Sequence, residues 1–295
     1  MGMDVKNPSI SSISEAQLSS VECPTGTIPI LRNNKQDNMS ILNTKAVITT
    51  GEQQEVTGIK YSDDIYGIRA TINIYEPMVK HFWDLSGSWI QINNGPGHGD
   101  VIGAGSWVSP STSGDNFARF HISWNNEAQK KSCTDHGCPG FVQVSSSVVL
   151  GGRVHPVSVY NGPQYGIKVL IFKDPKTKNW WLAYGEKKAI GYWPSSQFSY
   201  MNEMATSAFW GGYVQGKTAI EDSPQMGSGH FASEGFGKAA FIKDILMVNE
   251  RNKYQAPNPV KAQPGSTNPT KYTYADYGIN SNGMHIYYGG PGNYI

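Results

Sequence analysis

Apolar and polar side chains alternate from Tyr66 to Tyr75, and the run ends just before Pro77. A period of two that ends near a proline marks a strand burying one face. Stretches of strand character recur at 88–92, 101–108, 119–124, 140–145, 164–171, 179–184, 208–215 and 239–248. Turn clusters separate them, as in Asn94-Gly95-Pro96-Gly97 and Asn161-Gly162-Pro163. Strands at such short intervals predict an all-β fold, an antiparallel β-sandwich of two sheets with few short helices. The best helix candidate is 195–205, opened by Pro194. The stretch 252–270, rich in Pro, Asn and Gln, reads as a crossing loop to a terminal hairpin of 272–277 and 284–288.

The pattern is missing from residues 1–54, which are polar and broken by Ser, Asn and Pro. They read as a leader arm, weakly structured by itself, with one brief extended segment at 26–31; residues 55–295 read as the folded domain. Asn38-Met39-Ser40 is a glycosylation sequon, meaningful in a secreted chain. No apolar h-region of a signal peptide is visible in the first eight residues. No apolar run nears the roughly 18–20 residues that span a bilayer.

Composition narrows the class. A formal net charge of +1 leaves no footprint for nucleic acid or an anionic membrane. Charged residues make up 16%, beside 33 Gly, 16 Tyr and 8 Trp, which suits a turn-rich β protein. Cys133 and Cys138 suit a small disulfide-closed loop. A zinc reading with His136 lacks a fourth ligand, so no metal is expected, and Cys23 is left over.

The densest candidate for chemistry is the glycine-rich stretch 225–238. A phosphate-cradling loop would need a glycine where Ala232 stands and Ser or Thr where Ala239 stands. The frame Gly227-x-Gly229-x-x-Ala232 follows Pro224 and more glycines lie downstream, which argues against a strand-to-helix junction. No nucleotide or other cofactor is expected. His98, His121, His155 and His230 have no neighbour that makes a triad legible, and no Gly-x-Ser-x-Gly elbow is present. His230, inside the glycine stretch, is the strongest of them. Asp115 and Arg119 read as a structural ion pair.

Several collinear stretches resemble the neprosin family, plant secreted proteins whose founding member is a glutamic endopeptidase that cuts after proline. They include Phe209-Trp210-Gly211-Gly212-Tyr213-Val214, Gln225-Met226-Gly227-Ser228-Gly229-His230-Phe231 and Glu234-Gly235-Phe236-Gly237-Lys238. Ser132-Cys133 through Cys138-Pro139-Gly140-Phe141-Val142-Gln143, Gly191-Tyr192-Trp193-Pro194 and Tyr287-Tyr288-Gly289-Gly290-Pro291-Gly292 stand in family order. The resemblance implies secretion, a β-sandwich whose concave face holds a substrate groove, a Cys133–Cys138 disulfide, and a pro-region remnant ending near Ile30.

The family's enzymes work with two glutamates, one in Ile-Glu-Ala-Gly-Trp and one in Trp-Gly-Gly-Glu-Val. One takes a proton from water while the other polarises the scissile carbonyl. Here Gly103 and Tyr213 stand at those positions, and Ser106 reads as an insertion. Glycine handles no proton, and a phenol with a reference pKa of about 10 is a poor base at neutral pH. Asp100 is expected on the opposite strand face, and Glu221 and Asp222 in a loop. The expected function is a groove without hydrolysis, holding a peptide or protein ligand, with proline-rich segments among the candidates. Its candidate lining is Phe209, Tyr213, Gln215, Trp107 and His230. The alternatives are an active acid endopeptidase cleaving at proline, with a relocated acid, and a glycan-binding protein using exposed aromatics.

Overall fold

The computed structural model describes residues 13–31, 54–97, 99–186, 188–280 and 283–294. In chain order the strands are β1 (Ser14–Glu15), β2 (Gln17–Leu18), β3 (Gln54–Ile65), β4 (Gly67–Asn73), β5 (Leu85–Asn94) and β6 (Asp100–Val108). A one-turn helix α1 (Pro110–Ser113) precedes β7 (Arg119–Asn126), β8 (Lys131–Thr134), β9 (Val142–Gln143), β10 (Val154–His155), β11 (Tyr165–Lys173) and β12 (Trp180–Tyr184). Then come β13 (Lys188–Trp193), β14 (Ala205–Gln215), β15 (Ala240–Val248), β16 (Tyr254–Gln255), β17 (Ala262–Ser266), β18 (Thr273–Asn280) and β19 (Gly283–Gly289).

One sheet has seven strands in the order β17-β3-β14-β5-β6-β7-β8. The other has ten, with the path β18-β19-β15-β4-β11-β12-β13-β9 and β1 and β16 attached to β11 and β15. The long neighbours pair antiparallel. Ile59, Ile90, Ile102, Ile122 and Trp210 of the first sheet share one buried cluster with Ile68, Ile72, Ile167, Leu182 and Ile242 of the second. Tyr288 Oη donates to Ser88 Oγ across that layer at 2.6 Å. The architecture is therefore an antiparallel β-sandwich.

The seven-stranded sheet is also covered on its other face. Successive side chains point to opposite faces, and the outward set on its central strands includes Leu85, Trp89, Trp107, Phe209 and Tyr213, all buried in a cluster with Val56. Burial on both faces explains why β6 reads as a continuous apolar run.

Two local expectations need correction. The stretch 195–205 holds only a short turn at Ser195–Gln197. The backbone beyond it is satisfied by side chains instead of by a helix. Asp100 accepts from the Tyr200 and Met201 N–H groups, and Asn94 Nδ2 donates to the Tyr200 and Met204 carbonyls. The crossing loop contains a strand, β17, on the edge of the sheet, where Pro264 removes no needed donor. Ser106 pairs in register within β6, which meets β5 and β7 without a shift. The arm is partly ordered by the body: β1 pairs with β11, β2 with β10, and Ala16 is fully buried. Cys133 and Cys138 are joined and Cys23 is free. Asn38 and His98 lie outside the described residues.

Candidate functional site

Gly103 and Tyr213 lie on the same outward face, on strands separated by β5. Tyr213 is level with Gly87 and Trp107, whereas Gly103 is level with Gln91 and Phe209. Four residues along and two strands across correspond to about 16 Å between α-carbons. Trp89 stands between the two rows.

Bare glycines let the aromatic rings lie on the pleat. An added Cβ at Gly103 would fall 2.3 Å from Trp89 Nε1, and one at Gly87 would fall 2.5 Å from Tyr213 Cε1. The ring of Trp89 stacks on Trp107 with centroids 5.3 Å apart and meets Tyr213 edge-on at 6.0 Å. Trp107 in turn stacks on His121 at 4.0 Å with the planes within 10°. These contacts make a continuous aromatic row from β7 to β14. Each ring contributes on the order of 1.5–3 kcal/mol by burial, with further gain from favourable ring geometry.

Nothing in the row works as a carboxylate pair. Among the described residues, the outward positions of β14, β5 and β6 are filled by Phe209, Tyr213, Leu85, Trp89, Val101, Trp107, glycines and uncharged polar side chains. Burial pushes the Tyr213 hydroxyl well above its ordinary value, so it stays protonated across the physiological range.

The nearby acids are committed elsewhere. Asp100 holds backbone N–H groups on the far side of β6. Asp222 is tied to Lys80 and His81. Asp84 accepts from Thr218. Glu55 sits on the face of β3 opposite Val56, where Asn268 Nδ2 donates to it at 2.8 Å and burial raises its carboxyl.

One pairing was not legible in the sequence. Asp135, in the disulfide-closed loop with a left-handed φ of 49°, places Oδ2 at 2.6 Å from His121 Nδ1 and Oδ1 on the Ile122 N–H. A carboxylate there orients the imidazole through Nδ1 and turns Nε2 away from it. Among the described residues that buried nitrogen has no partner, and neither do the indole N–H groups of Trp89 and Trp107. The only sequence signal was the loop itself, since the two residues are fourteen positions apart.

Of the expected lining residues, Phe209, Tyr213 and Trp107 pack in one cluster, and Gln215 follows on the same strand face. His230 is not among them. It stacks on Tyr160 at 3.9 Å, and both bond to Glu234. Among the described residues no group of three His, Cys, Asp or Glu is arranged to hold a metal ion.

The family model described as Neprosin matches residues 83–291, more than half of the chain. This chain belongs to the neprosin family. The match takes in β5, β6 and β14, and with them Gly103 and Tyr213. Among solved structures, scytalido-glutamic peptidase with a transition state analogue inhibitor is similar at 12% identity and a TM-score of 0.41, over 80% of this chain and 98% of that one. SCP-B, a member of the eqolisin family of peptidases in complex with the tripeptide Ala-Ile-His, is similar at 11% identity and a TM-score of 0.38, with the same coverage. The Ruminococcus gnavus IT-sialidase CBM40 bound to α2,6-sialyllactose reaches 12% identity and a TM-score of 0.26, over 55% of this chain and 89% of that one. At those TM-scores the likenesses say nothing about what this neprosin-family chain does. No described helix is long and apolar enough to cross a membrane.

Proposed function

We propose that this neprosin-family protein does not hydrolyse peptides and instead holds an extended peptide along the outward face of its seven-stranded sheet. One observation carries the reading: the Trp89 indole occupies the space above Gly103, where the family's first glutamate would stand. The second position holds a buried phenol. Without an ionised and a protonated carboxyl in contact, no group activates water while another polarises the amide.

The same face supports binding. Among the described residues, the indole N–H groups of Trp89 and Trp107 meet no acceptor and His121 Nε2 has no partner. A peptide backbone brings one donor and one acceptor per residue. Pairing a buried orphan recovers about 1–3 kcal/mol. Proline-rich segments suit aromatic-lined grooves because they are already extended. The rings are only 1–3% exposed, so binding must first open the face. Association is therefore slow, below about 10⁵ M⁻¹s⁻¹. The Cys133–Cys138 disulfide fits a secreted protein.

The test is tryptophan fluorescence during titration with a proline-rich peptide, repeated with Trp107→Phe, which keeps a ring and removes the donor. Binding weakened about fivefold or more by Trp107→Phe supports the proposal. No binding of extended peptides, or binding indifferent to Trp107, overturns it. Saturable binding of an oligosaccharide in the same assay with no response to peptide favours a glycan-binding role.

A further inference from the structure

The outward face of the seven-stranded sheet changes character along its strands. Beyond the level of Trp89 and His121, the outward positions of β5 and β7 are Gln91, Asn93, Ser123 and Asn125. Strand β14 adds Ser207 beside Phe209. None of these side chains is charged. Gln91 and Ser123 are buried, whereas Asn93, Asn125 and Ser207 are half-buried, so the face opens toward this end.

Two buried atoms at this end lack a partner among the described residues: the Trp89 indole N–H and Asn93 Oδ1. The indole nitrogen lies over Gly103, level with Gln91, and Asn93 follows two residues along β5, a step of about 7 Å. Asn125, by contrast, donates through Nδ2 to the Gly99 carbonyl at 2.8 Å. One orphan is a donor and the other an acceptor. A run of prolines answers only the first, because proline offers carbonyl oxygens and no N–H. The donor for Asn93 Oδ1 must then come from a ligand side chain. An ammonium would be buried on a face whose outward positions carry no carboxylate, which is unfavourable. A hydroxyl both donates and accepts and brings no charge.

We propose that this face selects proline-rich segments whose rings carry a hydroxyl, that is, hydroxyproline-rich peptides. The inference rests on the peptide-binding reading above and names the ligand class of that same site. The pyrrolidine ring packs against Trp89 and Phe209, and a ligand carbonyl accepts from the indole N–H. The ring hydroxyl donates to Asn93 Oδ1 at the open end of the face.

The test titrates the full chain with two peptides of equal length, followed by tryptophan fluorescence. One is built on proline, and the other has 4-hydroxyproline at alternate prolines. The hydroxylated peptide is expected to bind about fivefold tighter, the gain from one added hydrogen bond. Asn93→Ala removes the acceptor and should bring the ratio of the two affinities to about one. Asn93→Asp keeps an acceptor oxygen and should keep the preference. A preference that survives Asn93→Ala comes from the stiffness of the hydroxylated ring alone and overturns the proposal. Equal binding of both peptides by the unmodified chain overturns it too, while leaving the peptide-binding reading in place. Binding of neither peptide overturns both.

Discussion

Trp89 fills the space that any side chain at Gly103 would need: an added Cβ there falls 2.3 Å from the indole nitrogen. The same ring meets Tyr213 at 6.0 Å, so one tryptophan stands between Gly103 and Tyr213. A carboxylate placed at Gly103 therefore meets a steric obstacle before it meets a chemical one.

Gly103→Glu is expected to cost about 1–3 kcal/mol from overpacking against Trp89. Combining it with Trp89→Ala relieves the clash. A double-mutant cycle by urea denaturation should then show a favourable coupling of at least about 1 kcal/mol. Additive costs would mean that the ring moves aside freely.

At Tyr213 the hydroxyl and the ring contribute unequally. Burial is the only cause of its raised pKa, with no hydrogen bond opposing it. Tyr213→Phe is expected to change stability by less than about 1 kcal/mol in urea denaturation. Tyr213→Glu buries a carboxylate without a cationic partner and should cost about 3 kcal/mol or more at pH 7. That cost shrinks at pH 4, where the new carboxyl is protonated.

Alkaline stability follows from the same burial. Desolvation raises Tyr213 and Tyr288, and it pushes Tyr75 up to about 12. Above pH 10 the unfolded chain releases these protons while the folded protein retains them. The unfolded state then binds fewer protons, and stability falls as pH rises. Urea midpoints should be level from pH 8 to about 9.5 and decline from about pH 10 upward. Absorbance near 295 nm should show these phenols titrating only as the fold is lost.

Glu55 behaves in the same sense on the acid side. Burial raises its folded pKa despite the Asn268 bond, so its ionised form is disfavoured in the folded state at neutral pH. Glu55→Gln keeps an oxygen for Asn268 and removes the charge. The urea midpoint should rise at pH 7. The gain should vanish as pH falls below about 4.5, where the unfolded carboxyl is also protonated.

The sequence made much of this visible through strand periodicity. The motifs around Gly103 and Tyr213 read as strands, which is enough to place both on sheet faces. It did not show that they share a face, because that depends on register across β5. Strand β3 stayed hidden because Lys60, Asp63 and Asp64 interrupt its pattern, and Asp63 is instead paired with Lys261. The 195–205 stretch misled because its amides are met by Asp100 and Asn94, a hundred residues away, and no local pattern encodes such bonds. The His121–Asp135 pair escaped for the same reason: a disulfide-closed loop sets its geometry, not its spacing.

The most direct measurement is digestion of a proline-rich protein by the purified, unmodified chain at acid pH, followed by mass spectrometry of the products. With Trp89 over Gly103 and a buried phenol at Tyr213, no fragments above the buffer control are expected. Cleavage after proline that persists through repurification and disappears when an acid of this chain is replaced would contradict the account.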